Sequence, residues 1–441
     1  MSPDVLINGG FQQIEGVSLP VFSREDGELT LFYAPGYLAA ARTREAAEIT
    51  GILCGELPFG EDMTPHYLVR AAVSAQEIWR RMHDPENYRP TCLMLYSALD
   101  CNLSCSYCFA KAARQEGVRL SKELILAAAR EVAANCREKG EPFTAVFHGG
   151  GEPSLDPRLP DLLADLQWIC KKADVPFRSY IATNGIMDPE KARWIRAHFD
   201  MVGISADGPP ELQNRQRPLR NGSESFRILE RTINNISRDP EDLSFRVTVL
   251  PENFRRIPEI AAYCAEKFGA EEIHVEPVYH QHISADLADD FCDSFLKAQA
   301  ETPARIVCSG TRIREVHGRY CQIFRQVLHL VPPAGTSACF AVSSQEEAEE
   351  KQMDTVPDEA LFERLSREDP GCEHCFNRFH CARGCPDVCP ASSCDVGDTG
   401  SFRCRVSRRL AEAELLGIAE RLLFEPARKY GYAGVKLRED Q

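Results

Sequence analysis

Residues 99–109 read LDCNLSCSYCF and place three cysteines, Cys101, Cys105 and Cys108, at the spacing CxxxCxxC. They directly follow an apolar run, residues 93–98, that has the length and composition of a buried strand. Three thiolates on one short loop are able to hold three irons of a [4Fe–4S] cube and to leave the fourth iron open. Zinc is the alternative, but a structural zinc site needs four closed ligands, and the nearby sequence offers no suitable fourth.

The stretch from about residue 92 to residue 278 alternates strand-like and helix-like segments. The strand-like runs, rich in Val, Ile and Phe, are residues 93–98, 143–147, 178–182, 201–205, 245–250 and 273–278. The helix-like segments between them are residues 121–139, 158–172, 189–198, 223–235 and 257–268. This alternation predicts an α/β fold, a parallel sheet curled into a partial (β/α)6 TIM-like barrel, with functional loops at the carboxyl ends of the strands. A Thr-Asn-Gly turn follows the third strand.

Two further regions flank the predicted barrel, which we place at residues 91–305. Residues 1–90 form an N-terminal α+β region, with a strand at 28–33 and helices at 43–53 and 69–82. Residues 306–441 form a cysteine-rich domain that closes on a helix at 406–424. An acidic exposed loop is predicted at 342–358. Residues 371–404 are too rich in Cys, Gly, Pro and Asp to build a packed core, so metal is expected to hold them.

The composition excludes several classes of function. The 441 residues include 51 basic and 66 acidic ones, a net charge of −15, which disfavours nucleic acid and anionic membranes as partners. The sequence starts without a secretory signal and has no run of 18 apolar residues, so we expect a cytoplasmic protein.

Nineteen cysteines, an odd number, are not expected to form a disulfide framework in that compartment. Clustered thiols are therefore interpreted as metal ligands. Isolated cysteines are interpreted as small apolar core residues. The isolated ones are Cys54, Cys136, Cys170, Cys264 and Cys292.

A glycine-rich stretch, HGGGEP at residues 148–153, follows the second strand. Gly150 and Gly151 let the backbone approach a ligand closely. Glu152, which precedes Pro153, offers an acceptor to an ammonium group. A plain strand-to-helix turn is the alternative for such a motif standing alone.

The fourth strand leads into ISADG at residues 204–208, followed by QNRQR at residues 213–217. Ser205 and Arg217, an alcohol and a forked guanidinium, suit a carboxylate ligand. The alternative for Arg217 is a surface salt bridge, and Asp207 is interpreted as a cap of the turn.

The C-terminal cysteines carry a second pattern, Cys372-x2-Cys375-x5-Cys381-x3-Cys385. Chance does not readily produce this spacing. Cys321 and Cys339 precede the pattern, and Cys404 follows it. A zinc ribbon is the alternative interpretation.

The first cysteine motif, with an aromatic residue before its last cysteine, resembles the signature of the radical S-adenosylmethionine (SAM) superfamily. Residues 148–153 resemble that family's GGEP motif. Residues 204–217 resemble the ISxDG…HDxxR segment of its peptide-modifying branch, although Gln213 and Asn214 stand where His and Asp are usual.

The resemblance implies that the open iron binds SAM through its amino and carboxylate groups and that an electron cleaves SAM to a 5′-deoxyadenosyl radical. It also implies that Tyr107 lies against the adenine and that residues 150–153, with Glu152, hold the methionine amine. Ser205 and Arg217 would bind the SAM carboxylate.

The C-terminal pattern resembles the SPASM domain, which holds two auxiliary [4Fe–4S] clusters and would bring the total to three. By this resemblance the first auxiliary cluster has three ligands, Cys321, Cys339 and Cys385. The second has four ligands, Cys372, Cys375, Cys381 and Cys404. The fourth ligand of the first is Cys308 or a substrate thiolate, and either of the surplus residues, Cys389 and Cys394, is able to replace Cys404.

These resemblances imply a maturase that modifies a ribosomally made peptide or a protein side chain, for example by cross-link or thioether formation. The implied partners are a precursor peptide or protein and an electron donor such as flavodoxin or ferredoxin. The alternatives are action on a small molecule, oxidation of the sulfatase-maturase kind, and a non-catalytic metal scaffold. Residues 1–90 are interpreted either as a unit to which a peptide adds as an edge strand or as a structural cap on the barrel.

Overall fold

The chain is described from a computed structural model. It covers residues 12–14, 17–19, 21–26, 29–108, 110, 116–236, 243–279, 281–310, 312–316, 322–332, 335–337, 372, 375–381 and 400–424.

The N-terminal region contains a short hairpin, a three-stranded antiparallel sheet and two helices. The hairpin strands are β1 (Gln12–Ile14) and β2 (Val17–Leu19). The sheet has the order β3 (Phe22–Asp26), β4 (Leu29–Ala34), β5 (Tyr37–Arg42). The helices are α1 (Thr43–Leu53) and α2 (Thr64–Met82). The predicted strand and both helices are confirmed, but α2 begins five residues earlier than predicted, because Pro65 fits its first turn and Asp62 accepts a hydrogen bond from the Thr64 N–H at 2.9 Å.

Both faces of the three-stranded sheet are covered. On one face Phe32 and Ala34 pack against α1 and α2. On the other face Leu31 and Tyr33 pack in one cluster with Leu415 and other apolar residues of the C-terminal helix. The N-terminal region is therefore joined to the C-terminal region through a continuous apolar contact.

The predicted α/β fold is confirmed by a nine-stranded sheet whose six central strands are parallel and run in sequence order. These strands are β6 (Cys92–Leu95), β7 (Phe143–Phe147), β8 (Phe177–Thr183), β9 (Met201–Ser205), β10 (Leu243–Val249) and β11 (Glu272–Pro277). The helices that connect and cover them are α3 (Lys122–Lys139), α4 (Leu159–Ala173), α5 (Pro189–His198), α6 (Pro210–Gln216), α7 (Phe226–Ile236), α8 (Ile257–Phe268) and α9 (Ala288–Glu301).

Three further strands extend the sheet beyond the six that the sequence pattern indicates. They are β12 (Arg305–Val307), parallel to β11, then β13 (Val327–Val331), parallel to β6, and β14 (Gly335–Ser337), antiparallel to β13. Residues beyond 308 show no regular periodicity, and β13 is a short uninterrupted run that is buried throughout, so no alternation marked it as a strand.

The termini of α3 illustrate why these helices form where they do. The Ser121 side chain accepts a hydrogen bond from the Leu124 N–H at 3.1 Å, and the helix ends at Gly140, which has a φ of 69°. Ser121 thus caps the amino end of α3, and Gly140 terminates the helix. Apolar residues of the strands and helices, such as Ile204 and Leu166, fill a single core between the sheet and its helices.

The C-terminal helix, α10 (Phe402–Phe424), begins four residues before the predicted start. Phe402 stacks against Phe254 and packs edge-on against Phe291, which anchors the first turn of α10 on the barrel. The predicted loop at 342–358 lies outside the described residues. No helix among the described residues is long and apolar enough to cross a membrane.

The prediction for isolated cysteines is confirmed for four of five residues. The side chains of Cys136, Cys170, Cys264 and Cys292 are buried in the core. The prediction for Cys54 is wrong, because Cys54 follows the last residue of α1 as its C-terminal cap and is exposed.

Candidate functional site

The cysteine loop leaves the carboxyl end of β6 and is held in place by the segment that follows α6. The Ser104 N–H donates to the Pro218 carbonyl at 2.9 Å, and the Ser106 N–H donates to the Gln216 carbonyl at the same distance. The loop that carries the first cysteine motif is therefore fixed to the end of the ISADG–QNRQR segment by main-chain hydrogen bonds.

The three cysteines of this loop differ in burial. Cys105 is buried, whereas Cys101 and Cys108 are partly buried. Burial raises the pKa of Cys105 to about 11, the Arg217 guanidinium opposes that rise, and the thiols of Cys108 and Cys101 add to it. No three His, Cys, Asp or Glu side chains of the described part are placed to hold a single metal ion. The loop thus carries three thiols, two of which act on the pKa of the third, and thiolates are the donors that iron–sulfur clusters use.

The glycine-rich loop after β7 packs directly on the start of the cysteine loop. The Glu152 N–H donates to the Asp100 carbonyl at 2.6 Å. A Cβ at Gly151 would lie 2.6 Å from the carbonyl carbon of Leu99 and would overlap the Asp100 carbonyl oxygen. Gly150 has a φ of 141°, a conformation that favours glycine. The two motifs are thus adjacent because glycine at 151 lets two backbones meet.

Replacing Gly151 by alanine is expected to destabilise the protein by about 1–3 kcal/mol, because the atoms that the new methyl group meets belong to the backbone and have no rotamer to change. Urea unfolding of the apoprotein measures this change. Gly149→Ala is the matched control, since a Cβ at Gly149 meets only the Gly151 carbonyl oxygen at 3.4 Å. Equal stability of the two variants would contradict the close approach.

The carboxylate of Glu152 lies inside the protein rather than at an open surface. Its oxygens accept hydrogen bonds from the Thr183 hydroxyl at 2.7 Å, the Asn184 N–H at 2.7 Å and the Ser154 N–H at 3.1 Å. Burial raises its pKa, although these hydrogen bonds act in the opposite direction. The side chain therefore joins the end of β7 to the end of β8. The contact of Glu152 with an ammonium group stays a prediction. The contact of the buried Pro153 with SAM also stays a prediction.

The fourth-strand motif forms a buried ion pair beside the cysteine loop. The Arg217 Nε lies 2.9 Å from the Asp207 Oδ2, with both side chains almost inaccessible. The Tyr107 hydroxyl donates to the same oxygen at 2.7 Å, and the Arg217 guanidinium lies 5.2 Å from the centre of the Tyr107 ring. Tyr107 and Arg217, two of the predicted SAM contacts, are thus brought together. Ser205 ends β9, the strand that leads to Asp207.

The interpretation of Asp207 as a simple turn cap is incomplete. Its two oxygens also accept hydrogen bonds from the Gln216 amide at 2.7 Å and from the Thr248 N–H at 3.1 Å. One buried carboxylate therefore connects the cysteine loop, the end of α6 and β10. The predicted salt bridge of Arg217 exists, but it is buried and not on the surface.

The two departures from the family pattern have structural partners. The Gln213 side-chain oxygen accepts a hydrogen bond from the Asp207 N–H at 2.9 Å. The Asn214 side-chain oxygen accepts from the N–H groups of Ser225 and Phe226, at 3.0 and 2.8 Å, where α7 begins. These residues support the loop around Asp207 and the start of the next helix.

Sequence reasoning missed a polar group on the inner side of the barrel. The Arg246 guanidinium on β10 donates to the Tyr180 hydroxyl on β8 at 3.0 Å. Tyr180 passes over β9 at Gly203, where a Cβ would overlap the phenol. Burial and the charge of Arg246 lower the pKa of His148 to about 3, which places Arg246 near β7 as well. A glycine in the middle of β9 was the available signal for this close approach.

Cys404 lies near three other C-terminal cysteines. Burial raises the pKa of Cys404, and the thiols of Cys381, Cys375 and Cys372 raise it further. The Cys375 N–H donates to the Cys372 carbonyl at 3.1 Å, and the Ser407 hydroxyl oxygen lies 3.1 Å from both the Cys381 sulfur and the Gly310 carbonyl oxygen. The structure thus places Cys404 near the three other residues predicted for the same ligand set, and their role as ligands stays a prediction.

The other predicted C-terminal ligands lie outside the described residues: Cys321, Cys339, Cys385, Cys389 and Cys394. Cys308 lies at the end of β12, with its sulfur 3.8 Å from a carboxylate oxygen of Glu276. Burial and the Glu276 charge raise its pKa.

Comparisons with known proteins find similar sequences and similar solved structures. The Clostridium perfringens cysteine-type anaerobic sulfatase-maturating enzyme is 23% identical over 173 residues. That match covers 38% of this chain and 46% of that protein, so it spans less than half the length of the relative.

Solved structures resemble the chain over a larger part. Native anSMEcpe with bound AdoMet and Cp18Cys peptide has a TM-score of 0.57 at 17% identity and covers 75% of this chain and 99% of that one. Native anSMEcpe with bound AdoMet has a TM-score of 0.56 at 17% identity, covering 76% and 100%. At these identities the likeness shows a shared fold. Residues 96–264, which carry the cysteine loop, the glycine-rich loop and the Asp207–Arg217 pair, match the model of the radical SAM superfamily, so this part of the chain is a radical SAM domain.

Proposed function

We propose that this chain is a radical SAM maturase that modifies a ribosomally made peptide or a protein side chain. The observation that carries the proposal is that Cys404 lies near Cys372, Cys375 and Cys381 in the same molecule as the cysteine loop of the barrel. Two separate thiol clusters fit an enzyme that makes a radical at one site and handles electrons at another.

The cysteine loop would hold the cluster of the barrel through Cys101, Cys105 and Cys108. SAM would be held by two groups of residues, Gly150–Pro153 in the glycine-rich loop and the set Tyr107, Ser205 and Arg217. When bound together, the cluster and SAM supply a 5′-deoxyadenosyl radical able to remove hydrogen from an unactivated carbon.

The described residues fit these roles through position and charge. The buried Arg217 keeps its positive charge, because the paired Asp207 raises its pKa against the effect of burial. A fixed guanidinium suits a carboxylate, and Tyr107 beside it offers an aromatic face. Fixed groups of this kind orient a ligand and exclude water from the site.

The C-terminal region would hold two auxiliary clusters, for three [4Fe–4S] clusters in total. One uses Cys404 and the three cysteines near it. The other uses Cys321, Cys339 and Cys385, with Cys308 or a substrate thiolate completing it.

A peptide substrate is supported by the structural neighbours, because anSMEcpe was solved with a bound Cp18Cys peptide. The N-terminal sheet has β3 and β5 as its edges among the described strands, and a peptide would add to such an edge through main-chain hydrogen bonds. The packing of Tyr33 and Leu31 on the C-terminal helix supports the other role, a structural cap. Oxidation of a sulfatase side chain is the second candidate function, because the Clostridium perfringens relative is named for that maturation.

An electron donor such as flavodoxin or ferredoxin would deliver its electron near Cys101. An open cleft of about 600 Å³ reaches this residue and is also lined by Asp100, Asn102, Leu219 and Arg220. The cleft gives the loop a solvent-facing side.

The test is an anaerobic incubation of reconstituted protein with dithionite, SAM and synthetic peptides encoded beside its gene. We expect 5′-deoxyadenosine and a peptide that has lost two hydrogen atoms, both seen by mass spectrometry. Conversion of a Cys-containing sulfatase peptide alone would favour the second candidate. Formation of 5′-deoxyadenosine with no change in any peptide would contradict both.

A further inference from the structure

Asn184 lies where the loops after β7 and β8 meet the cysteine loop. It is the middle residue of a Thr-Asn-Gly turn that directly follows β8, and it is 8% exposed. Its backbone N–H donates to the Glu152 carboxylate at 2.7 Å. The glycine-rich loop therefore holds the backbone of Asn184. The side-chain amide of Asn184 takes no part in that hydrogen bond and makes other contacts.

The orientation of the Asn184 amide is fixed by its neighbours. Its oxygen accepts a hydrogen bond from the Ile186 N–H at 2.8 Å, so its nitrogen must point the other way. That nitrogen donates to the Asn102 side-chain oxygen at 2.8 Å. Asn102 is fixed in turn, because its own amide nitrogen donates to the Ile186 carbonyl at 2.7 Å. Neither amide is able to flip without losing a hydrogen bond.

The second hydrogen of the Asn184 nitrogen is available to Cys101. A side-chain amide carries two N–H donors, and Asn102 uses one of them. The Asn184 Nδ2 lies 3.8 Å from the Cys101 sulfur, a distance at which an N–H group interacts with sulfur. The arrangement thus directs a donor at one of the three cysteines of the loop.

We propose that Asn184 donates a hydrogen bond to the Cys101 sulfur and so makes the cluster of the barrel easier to reduce. This inference rests on the proposed function, because it takes Cys101 as a cluster ligand. Reduction adds negative charge to the cluster and its sulfurs, and a donor at a sulfur stabilises that charge. Asn184 is on this account a positioning residue that acts through Cys101.

The turn itself does not depend on the Asn184 side chain alone. Gly185 has a φ of 72°, and a Cβ at Gly185 would lie 2.6 Å from the Leu229 Cδ1. The turn is thus set by glycine and by the backbone hydrogen bond to Glu152. Substitutions at 184 are therefore expected to leave the loop folded.

The experiment is a redox titration of the reconstituted, full-length holoenzyme, followed by electron paramagnetic resonance. The signal of the cluster in the barrel is identified as the one that changes when SAM is added. Asn184→Leu removes both donors at a similar volume. Asn184→Asp keeps the oxygen that accepts from Ile186 and replaces the donor by a negative charge.

We expect both variants to keep their iron and to show a more negative midpoint potential for that signal, with the larger shift in Asn184→Asp. Ser407→Ala, which removes a hydroxyl group 3.1 Å from the Cys381 sulfur in the C-terminal site, is the matched control and should leave that potential unchanged. An unchanged potential in both Asn184 variants would overturn the inference. Loss of iron from both would also overturn it, because the side chain would then be holding the loop. If the wild type has no signal that responds to SAM, the proposed function fails instead.

Discussion

Replacing Cys101, Cys105 and Cys108 together by alanine is expected to abolish the formation of 5′-deoxyadenosine from SAM and to lower the iron content from about twelve to about eight per chain. The three thiols lie on one loop, and those of Cys108 and Cys101 add to the raised pKa of Cys105, so we treat them as one set. Without them the barrel has no thiolates at the position where the family resemblance places the open cluster. Iron analysis and chromatography of the reaction products measure the two effects.

The control for this variant is Cys54→Ala, because Cys54 is exposed at the end of α1 and is not one of the predicted ligands. It should keep full iron and full SAM cleavage. Continued production of 5′-deoxyadenosine by the triple variant would show that the site has been assigned to the wrong residues.

Replacing Cys372 and Cys375 by alanine is expected to remove about four irons and to abolish peptide modification while SAM cleavage continues. These cysteines lie one turn apart, and the pKa of Cys404 responds to both. The barrel site is built from other loops, so it should survive and make its radical without the electron transfer that completes the product. Iron content, 5′-deoxyadenosine and modified peptide are measured on the same preparation.

The competing result for this double variant is collapse of the C-terminal region, because little apolar core is expected there and metal binding contributes folding energy. A comparison of soluble yield separates collapse from selective loss of one cluster. Cys389→Ala/Cys394→Ala is the matched control and should keep its iron, since Cys404 lies with the other three thiols. A Cys372/Cys375 variant that modifies peptide at the wild-type rate would refute this ligand set.

The order of the barrel strands could be predicted from the sequence because each buried strand is an apolar run followed by an amphipathic helix. β7 and β9 begin and end at the predicted residues. β13 could not be predicted in the same way, since it pairs with β6 across more than 200 residues of chain, and a pairing of that kind leaves no local pattern.

The candidate site could likewise be predicted from the sequence only in part. Glycines in the HGGGEP motif indicated close backbone approach, and Gly151 meets the carbonyl group of Asp100. The buried carboxylate of Asp207 was missed, because its partners Tyr107 and Thr248 come from other strands and loops. Asn184 was noted only as part of a turn for the same reason.

We infer that this chain binds iron–sulfur clusters and cleaves SAM. The most direct measurement is made on anaerobically reconstituted wild-type protein, reduced with dithionite in the presence of SAM. Iron, sulfide and zinc are determined together with 5′-deoxyadenosine and methionine. We expect about twelve irons per chain and equal amounts of 5′-deoxyadenosine and methionine. Stoichiometric zinc with little iron, or full iron without any 5′-deoxyadenosine, would contradict the claim.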